Sequence, residues 1–143
     1  MNTRFSVGLH ILTLLVVQGG VPTSSDFIAA SVNTNPALIR RLLTQLSKAG
    51  LTKSQMGTGG GALLARPAES ITLRDVYEAM NEDGELLAMH QGPNPSCSVG
   101  RNIETLLVSR IHDAEAALKA QLAQTTISDL ANGVEQIETR RRA

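Results

Sequence analysis

Cys97 is the one cysteine in the sequence. It follows a turn containing Gly92, Pro93 and Pro95 and comes just before a long helical pattern. A thiol at a helix N-terminus has a lowered pKa and reacts readily. Two readings stay open for it: a redox or electrophile sensor, or a buried packing residue, since free cysteines are among the most buried side chains. A single thiol excludes an intramolecular disulfide framework and an all-cysteine metal site within one chain. It also fits a reducing compartment. His10 lies in an apolar helical run and reads as a core residue, and His90 and His112 have no zinc-like spacing. A thiol enzyme would need a base or a resolving thiol, and neither is visible near Cys97.

The second group of chemically capable residues is hydroxylic, basic and glycine-rich. Thr34, Asn35, Pro36 and Ala37 lead into Arg40 and Arg41. Arginine is the commonest bidentate partner of guanine O6 and N7. Thr23, Ser24 and Ser25 open the preceding element, where hydroxyls and free amides hold phosphate. Lys53 precedes Gly57-Thr58-Gly59-Gly60-Gly61, a loop bare enough for its backbone to approach a sugar–phosphate chain or a minor groove. A nucleotide phosphate loop would join a strand to a helix and continue into Lys-Ser/Thr. This loop joins two expected strands with no such lysine, so that function is excluded.

These residues need elements to carry them. Residues 5–18 read as a helix, apolar on most sides and ended by Gly19-Gly20. Thr23 and Asp26 have capping-box spacing for a short helix over about 24–31, with Phe27, Ile28 and Ala30 as packing residues. A three-residue turn, 32–34, leads to Asn35 as N-cap and Pro36 at the first position of a helix over 36–49. Strands over 51–56 and 62–66 form a hairpin around the glycines. A helix over 71–80, an irregular stretch over 81–100 and a long helix over about 99–124 follow. The long helix steps its apolar residues Val99, Ile103, Leu107, Ile111, Ala114, Leu118 and Leu122 by three or four, giving one stripe. A short helix over about 128–137 precedes Arg140–Arg142, a tail expected to be solvated.

The chain has 143 residues, and its net charge is zero, from 13 basic and 13 acidic side chains. The zero hides an asymmetry. Residues 1–66 hold six basic residues and one acidic, a balance of +5, whereas residues 67–143 hold seven basic and twelve acidic, a balance of −5. Phe5, Phe27 and Tyr77 are the only aromatics, too few for a base-stacking platform on single strands. No stretch approaches the roughly 20 apolar residues of a membrane span. The run from Leu9 to Val17, interrupted by His10 and Thr13, lacks a signal peptide's cleavage site. The expectation is a soluble cytoplasmic protein with no membrane partner.

Helix, helix, turn, helix and a glycine-tipped hairpin, in that order, make a winged helix-turn-helix, whose second helix enters the major groove. The expected fold class is mainly α with a small β-hairpin wing and a long C-terminal dimerisation helix. The segments 34–43 (TNPALIRRLL), 48–51 (KAGL), 57–67 (GTGGGALLARP) and 71–80 (ITLRDVYEAM) closely resemble the Rrf2 family of bacterial winged-helix transcription regulators. Residues 4–15 and 94–100 resemble its YwnA-like branch. The resemblance implies a homodimer whose long helices cross between subunits, two recognition helices on a palindromic duplex, and a sensor near the loop before the long helix. The DNA-facing positions it implies run from Thr34 to Arg41 and over the wing glycines.

Two departures stand out. The wing has Thr58 and Ala62 where the family commonly has proline and a large residue. The iron–sulfur members carry three cysteines where this chain has Cys97 alone, so no cofactor is expected; a dimer-bridging cluster would have to draw on His10, His90 or His112. The domains expected are a DNA-binding domain over 1–80, a linker or sensor loop over 81–98, and a dimerisation helix and tail over 99–143. The resulting reading is a homodimeric repressor, not an enzyme, paired through its 99–124 helix. In it, oxidation of Cys97 would alter the spacing of the recognition helices. The rival is a winged-helix module for protein–protein contact, and the basic N-terminal half speaks against it.

Overall fold

Gly8 lets the first helix lie close against the fourth. A Cβ there would stand 3.2 Å from the side chains of Val76 and Met80. The computed structural model describes residues 2–81, Gly84 and residues 86–143. Its elements are α1 (Arg4–Val17), α2 (Ser25–Val32), α3 (Pro36–Lys48), β1 (Thr52–Gln55), β2 (Gly61–Leu64), a 3-10 turn (Ala68–Ser70), α4 (Leu73–Met80), α5 (Ser98–Leu122) and α6 (Ile127–Arg142). This is the expected winged-helix architecture. Of the 81–98 linker, Glu82, Asp83 and Glu85 lie outside the described residues.

Ile11 and Leu12 of α1, Ile28 of α2, and Ile39, Leu42 and Leu46 of α3 form one buried core with Ile71, Val76 and Met80. Phe5 and Tyr77 add an edge-to-face ring contact between α1 and α4, with centroids 5.9 Å apart. On α2 the buried residues are Ile28 and Ala29, whereas Phe27 is half exposed and Ala30 points outward. The expected packing roles of Phe27 and Ala30 are therefore corrected by the helix phase.

The cap of α2 is corrected too. Ser24 Oγ, not Thr23, accepts from the Phe27 amide at 3.1 Å. Thr23 lies outside the helix, buried, with its backbone paired to Ala62 in both directions at 3.1 and 2.8 Å. Asn33 closes α2 in the left-handed conformation, φ 66°, which asparagine tolerates better than other non-glycine residues. Asn35 Oδ1 then caps α3 through the Leu38 amide at 2.9 Å, with Pro36 opening the helix as expected.

The hairpin is antiparallel, with Thr52 opposite Leu64 and Gln55 opposite Gly61. Behind it, Thr72 Oγ1 and the Asp75 carboxylate form a reciprocal capping box at the start of α4.

α5 is 25 residues long and buries none of them within the chain. Ile103, Ile111, Leu118 and Leu122 are half-buried, while Val99, Leu106 and Val108 are exposed by half or more. Lys119 ties the helix to α4 through Glu78, at 3.6 Å.

α6 runs longer than the expected 128–137 and takes in Arg140–Arg142, which are exposed at its end. It does not trail away with α5. Thr126 bridges to Thr72, the Ile127 amide donates to the Ile71 carbonyl at 2.9 Å, and the Ile127 side chain is fully buried in the core of the first 80 residues.

Candidate nucleic-acid interface

α3 is positioned by its buried row Ile39, Leu42 and Leu46, which turns Arg40, Arg41, Thr44, Ser47 and Lys48 to solvent. Asn35 and Ala37 are exposed at its N-terminus, and Thr34 and Pro36 are half-buried beside them. The capping bond uses Asn35 Oδ1 and leaves Nδ2 without a partner among the described residues.

Between α3 and the hairpin runs a cleft of about 350 Å3 whose lining includes Ser25, Arg40, Thr44, Lys48, Lys53 and Ser54. A second cleft, of about 390 Å3, includes Arg4, Arg41 and Lys48 in its lining, on the side of α3 toward α1. The adjacent arginines thus serve different sides of α3, and Lys48 borders both. Thr44 and Lys48 stand four and eight residues after Arg40. Their helical spacing from Arg40 was the available signal, although sequence reading singled out neither.

Among the described residues, no carboxylate lies within ion-pair distance of Arg40, Arg41, Lys48 or Lys53. Three cations elsewhere in the chain differ: Arg66 pairs with Asp75, and Arg74 and Lys119 with Glu78. A face of uncompensated guanidinium and ammonium groups suits a polyanion.

At the wing tip, Gly57 and Gly59 take φ values of 90° and 76°, and the Gly60 amide donates to the Gly57 carbonyl at 3.0 Å. A Cβ on Gly60 would stand 2.1 Å from the Gln55 carbonyl oxygen. The tip is therefore narrow by construction, and Thr58 is exposed on it. Ser24 is exposed, and its Oγ–H remains able to donate while its lone pair serves the cap. Thr23 offers nothing outward: it is 3% exposed and its Oγ1 donates to the Val21 carbonyl. Its work is to fasten the start of α2 to β2.

A family model described as an iron-dependent transcriptional regulator, Rrf2, matches residues 1–133. The chain belongs to the Rrf2 family of transcriptional regulators. YwnA of Bacillus subtilis is 39% identical over 132 residues, covering 92% of this chain and 97% of the relative. The HTH-type transcriptional regulator IscR of Cereibacter sphaeroides is 37% identical over 125 residues, covering 87% of this chain and 79% of the relative. The structure of CymR, the global cysteine regulator of B. subtilis, superposes with a TM-score of 0.68 at 29% identity, covering 92% of this chain and 95% of that one.

Within this Rrf2 chain, the donor set does not fit the iron that the family description names. The sequence supplies one thiol, and among the described residues no three His, Cys, Asp or Glu side chains gather to hold a metal ion. His10 is exposed, not in the core, with Nε2 2.9 Å from Ser31 Oγ. His112 is exposed near Asp113, at 4.0 Å.

Cys97 is exposed in the chain, which overturns the packing alternative at this level of assembly. It is the N-cap of α5. The backbone amides of Gly100 and Val99 at the helix start favour the thiolate and hold its pKa below the ordinary value, with desolvation opposing. Asn94 shapes this corner: its carbonyl accepts from the Cys97 amide at 3.2 Å and would stand 2.2 Å from a Cβ on Gly100. Arg101 is committed to the Pro95 carbonyl at 3.2 Å.

Proposed function

We propose that this protein is a homodimeric, DNA-binding transcription repressor that reads a palindromic duplex and has no enzymatic activity. The observation that carries this reading is the uncompensated basic face shared by α3 and the wing. In it, α3 lies in the major groove, with Arg40 and Arg41 on base edges or phosphates and Asn35 Nδ2 as a further donor. Ser24, Ser25 and Lys53 hold phosphate, and the thin tip from Gly57 to Gly60 approaches the backbone beside the site. The family membership and the regulators among its relatives support the same reading.

The dimer is supported by α5, none of whose 25 residues is fully buried within one chain. Exposed Val99 and Leu106, seven residues apart on one face of α5, suit the same surface of a second copy. Residues 1–80 act as the DNA-binding unit, completed by α6, and residues 99–124 as the dimer seam. The protein works in the cytoplasm without an iron–sulfur cluster. Cys97, an activated and exposed thiol at the head of the seam, would report oxidants by changing how the two recognition helices are spaced.

Selection of bound duplexes from a random pool, in oxidant and in reductant, tests this. The expected product is an inverted repeat, bound with a steep salt dependence. Binding indifferent to sequence and salt would sink the DNA reading. An unchanged oxidant response in Cys97→Ser would sink the sensor, and activation of a promoter by the bound dimer would sink repression.

A further inference from the structure

Met56 is 88% exposed, the most exposed of the large apolar side chains among the described residues. It stands where β1 leaves the sheet for the wing tip. From residue 56 to residue 61 the sequence is Met-Gly-Thr-Gly-Gly-Gly, so Met56 and Thr58 are the only side chains the tip carries. The tip cannot thicken. A Cβ on Gly60 meets the Gln55 carbonyl, and one on Gly61 would stand 2.5 Å from the Thr23 carbonyl oxygen. Two bare strands side by side are about 4.8 Å apart. An edge this bare has no side chains at its glycines to hold it off the minor groove of duplex DNA, about 6 Å wide.

We propose that Met56 enters the minor groove flanking each half-site and selects A·T over G·C pairs there. The inference rests on the DNA reading above and adds a base preference to it. Lys53 lies on β1 itself, exposed and, among the described residues, without an ion-pair partner, and lines the cleft beside α3. Met56 is three residues farther out, a distance of about 10 Å along a strand. With α3 seated in the major groove, that distance carries the thioether toward the neighbouring minor groove while Lys53 stays with the phosphates.

The chemistry of the groove floor then decides the preference. A·T pairs present only the adenine N3 and thymine O2 acceptors, over which an unbranched apolar chain can lie. A G·C pair adds the protruding guanine N2 amine, a donor that a thioether serves poorly and that loses its water when covered. Minor-groove proteins do place apolar side chains, methionine among them, in this groove, where they wedge between base steps.

Inosine separates the two grooves, because an I·C pair lacks the N2 amine while keeping the major-groove face of G·C. On the selected operator, the flanking pairs under the wing, located by hydroxyl-radical footprinting, are made A·T, G·C or I·C. The expected order is equal affinity for A·T and I·C, with G·C weaker by about tenfold. Met56→Ala, which removes an exposed side chain and leaves the core intact, should bring the three duplexes to within about twofold. The proposal is overturned if I·C behaves as G·C, or if Met56→Ala keeps the full ratio. Failure to bind any of the three duplexes would overturn the DNA reading itself.

Discussion

Arg66 Nη2 donates to Asp75 Oδ2 at 3.0 Å, and that same oxygen accepts the Thr72 backbone amide at 2.9 Å. One carboxylate therefore joins the exit of the wing to the N-terminus of α4. At the far end of α4, Glu78 takes both Arg74 and Lys119, so the helix has wing on one side and α5 on the other.

Replacing Asp75 with alanine removes half of a capping box and one member of an ion pair. The cap contributes about 1 kcal/mol. The pair, both members about a third exposed, adds at most about 1 kcal/mol after solvent screening. Urea unfolding should show Asp75→Ala less stable by about 1–2 kcal/mol, and Arg66→Ala by clearly less. Equal losses in the two variants would mean that the cap contributes little.

Arg40 and Lys53 line one cleft but should answer differently to truncation. Arg40→Ala should cost about 1–3 kcal/mol on the operator and relax preference at one base pair. Lys53→Ala should weaken all duplexes alike and flatten the salt slope by about 1. Fluorescence anisotropy over a salt series, on operator and random duplex, separates the two. An Arg40→Ala loss equal on both duplexes would place Arg40 on phosphate instead of on a base.

Leu106 contributes little to the core of a single chain, being 64% exposed on α5. Leu106→Glu should therefore keep the helical content and thermal unfolding of the fold while shifting sedimentation from dimer to monomer. A dimer that persists would move the seam to another face.

Cys97 gives a pH-dependent outcome. Its folded pKa lies below the ordinary thiol value because the Gly100 and Val99 amides favour the thiolate. The stability this adds is fully present above the unfolded pKa and is lost as pH falls through the folded one. Between the two values the native protein carries more thiolate than the unfolded chain. Iodoacetamide should thus alkylate native Cys97 at a midpoint pH lower than in urea, with the gap closing at alkaline pH. A native midpoint at or above the unfolded one would remove the activated thiol.

α3 and the wing were legible in the sequence because their signals are local. Asn35, Pro36 and the apolar row after them define one helix, and a run of glycines between alternating residues defines one turn. Thr23 was misread because Thr23 and Ser24 both have capping potential, and the choice between them is made by Ala62, far along the chain. The same holds for Ile127, whose burial depends on Ile71 and the α1 core and leaves no mark in its own neighbourhood. His10 sits on a helix apolar on most sides, and its outward phase toward Ser31 follows from how α1 meets α2. Cys97 was placed correctly at a helix start, but its exposure depends on how the 94–97 loop lies against α5.

The return of α6 to the N-terminal core has a consequence for biosynthesis. Ile127 and the Thr72–Thr126 bridge complete a core whose other members occur by residue 80. During synthesis, α3 and the wing are made early but wait for α6 before their packing closes. Contacts so far apart in sequence slow folding and leave apolar surface open meanwhile. Since α5 lies between the two parts, it has left the ribosome before the core can close. α6 must therefore fold back past a finished α5 to close the core that the first 80 residues open.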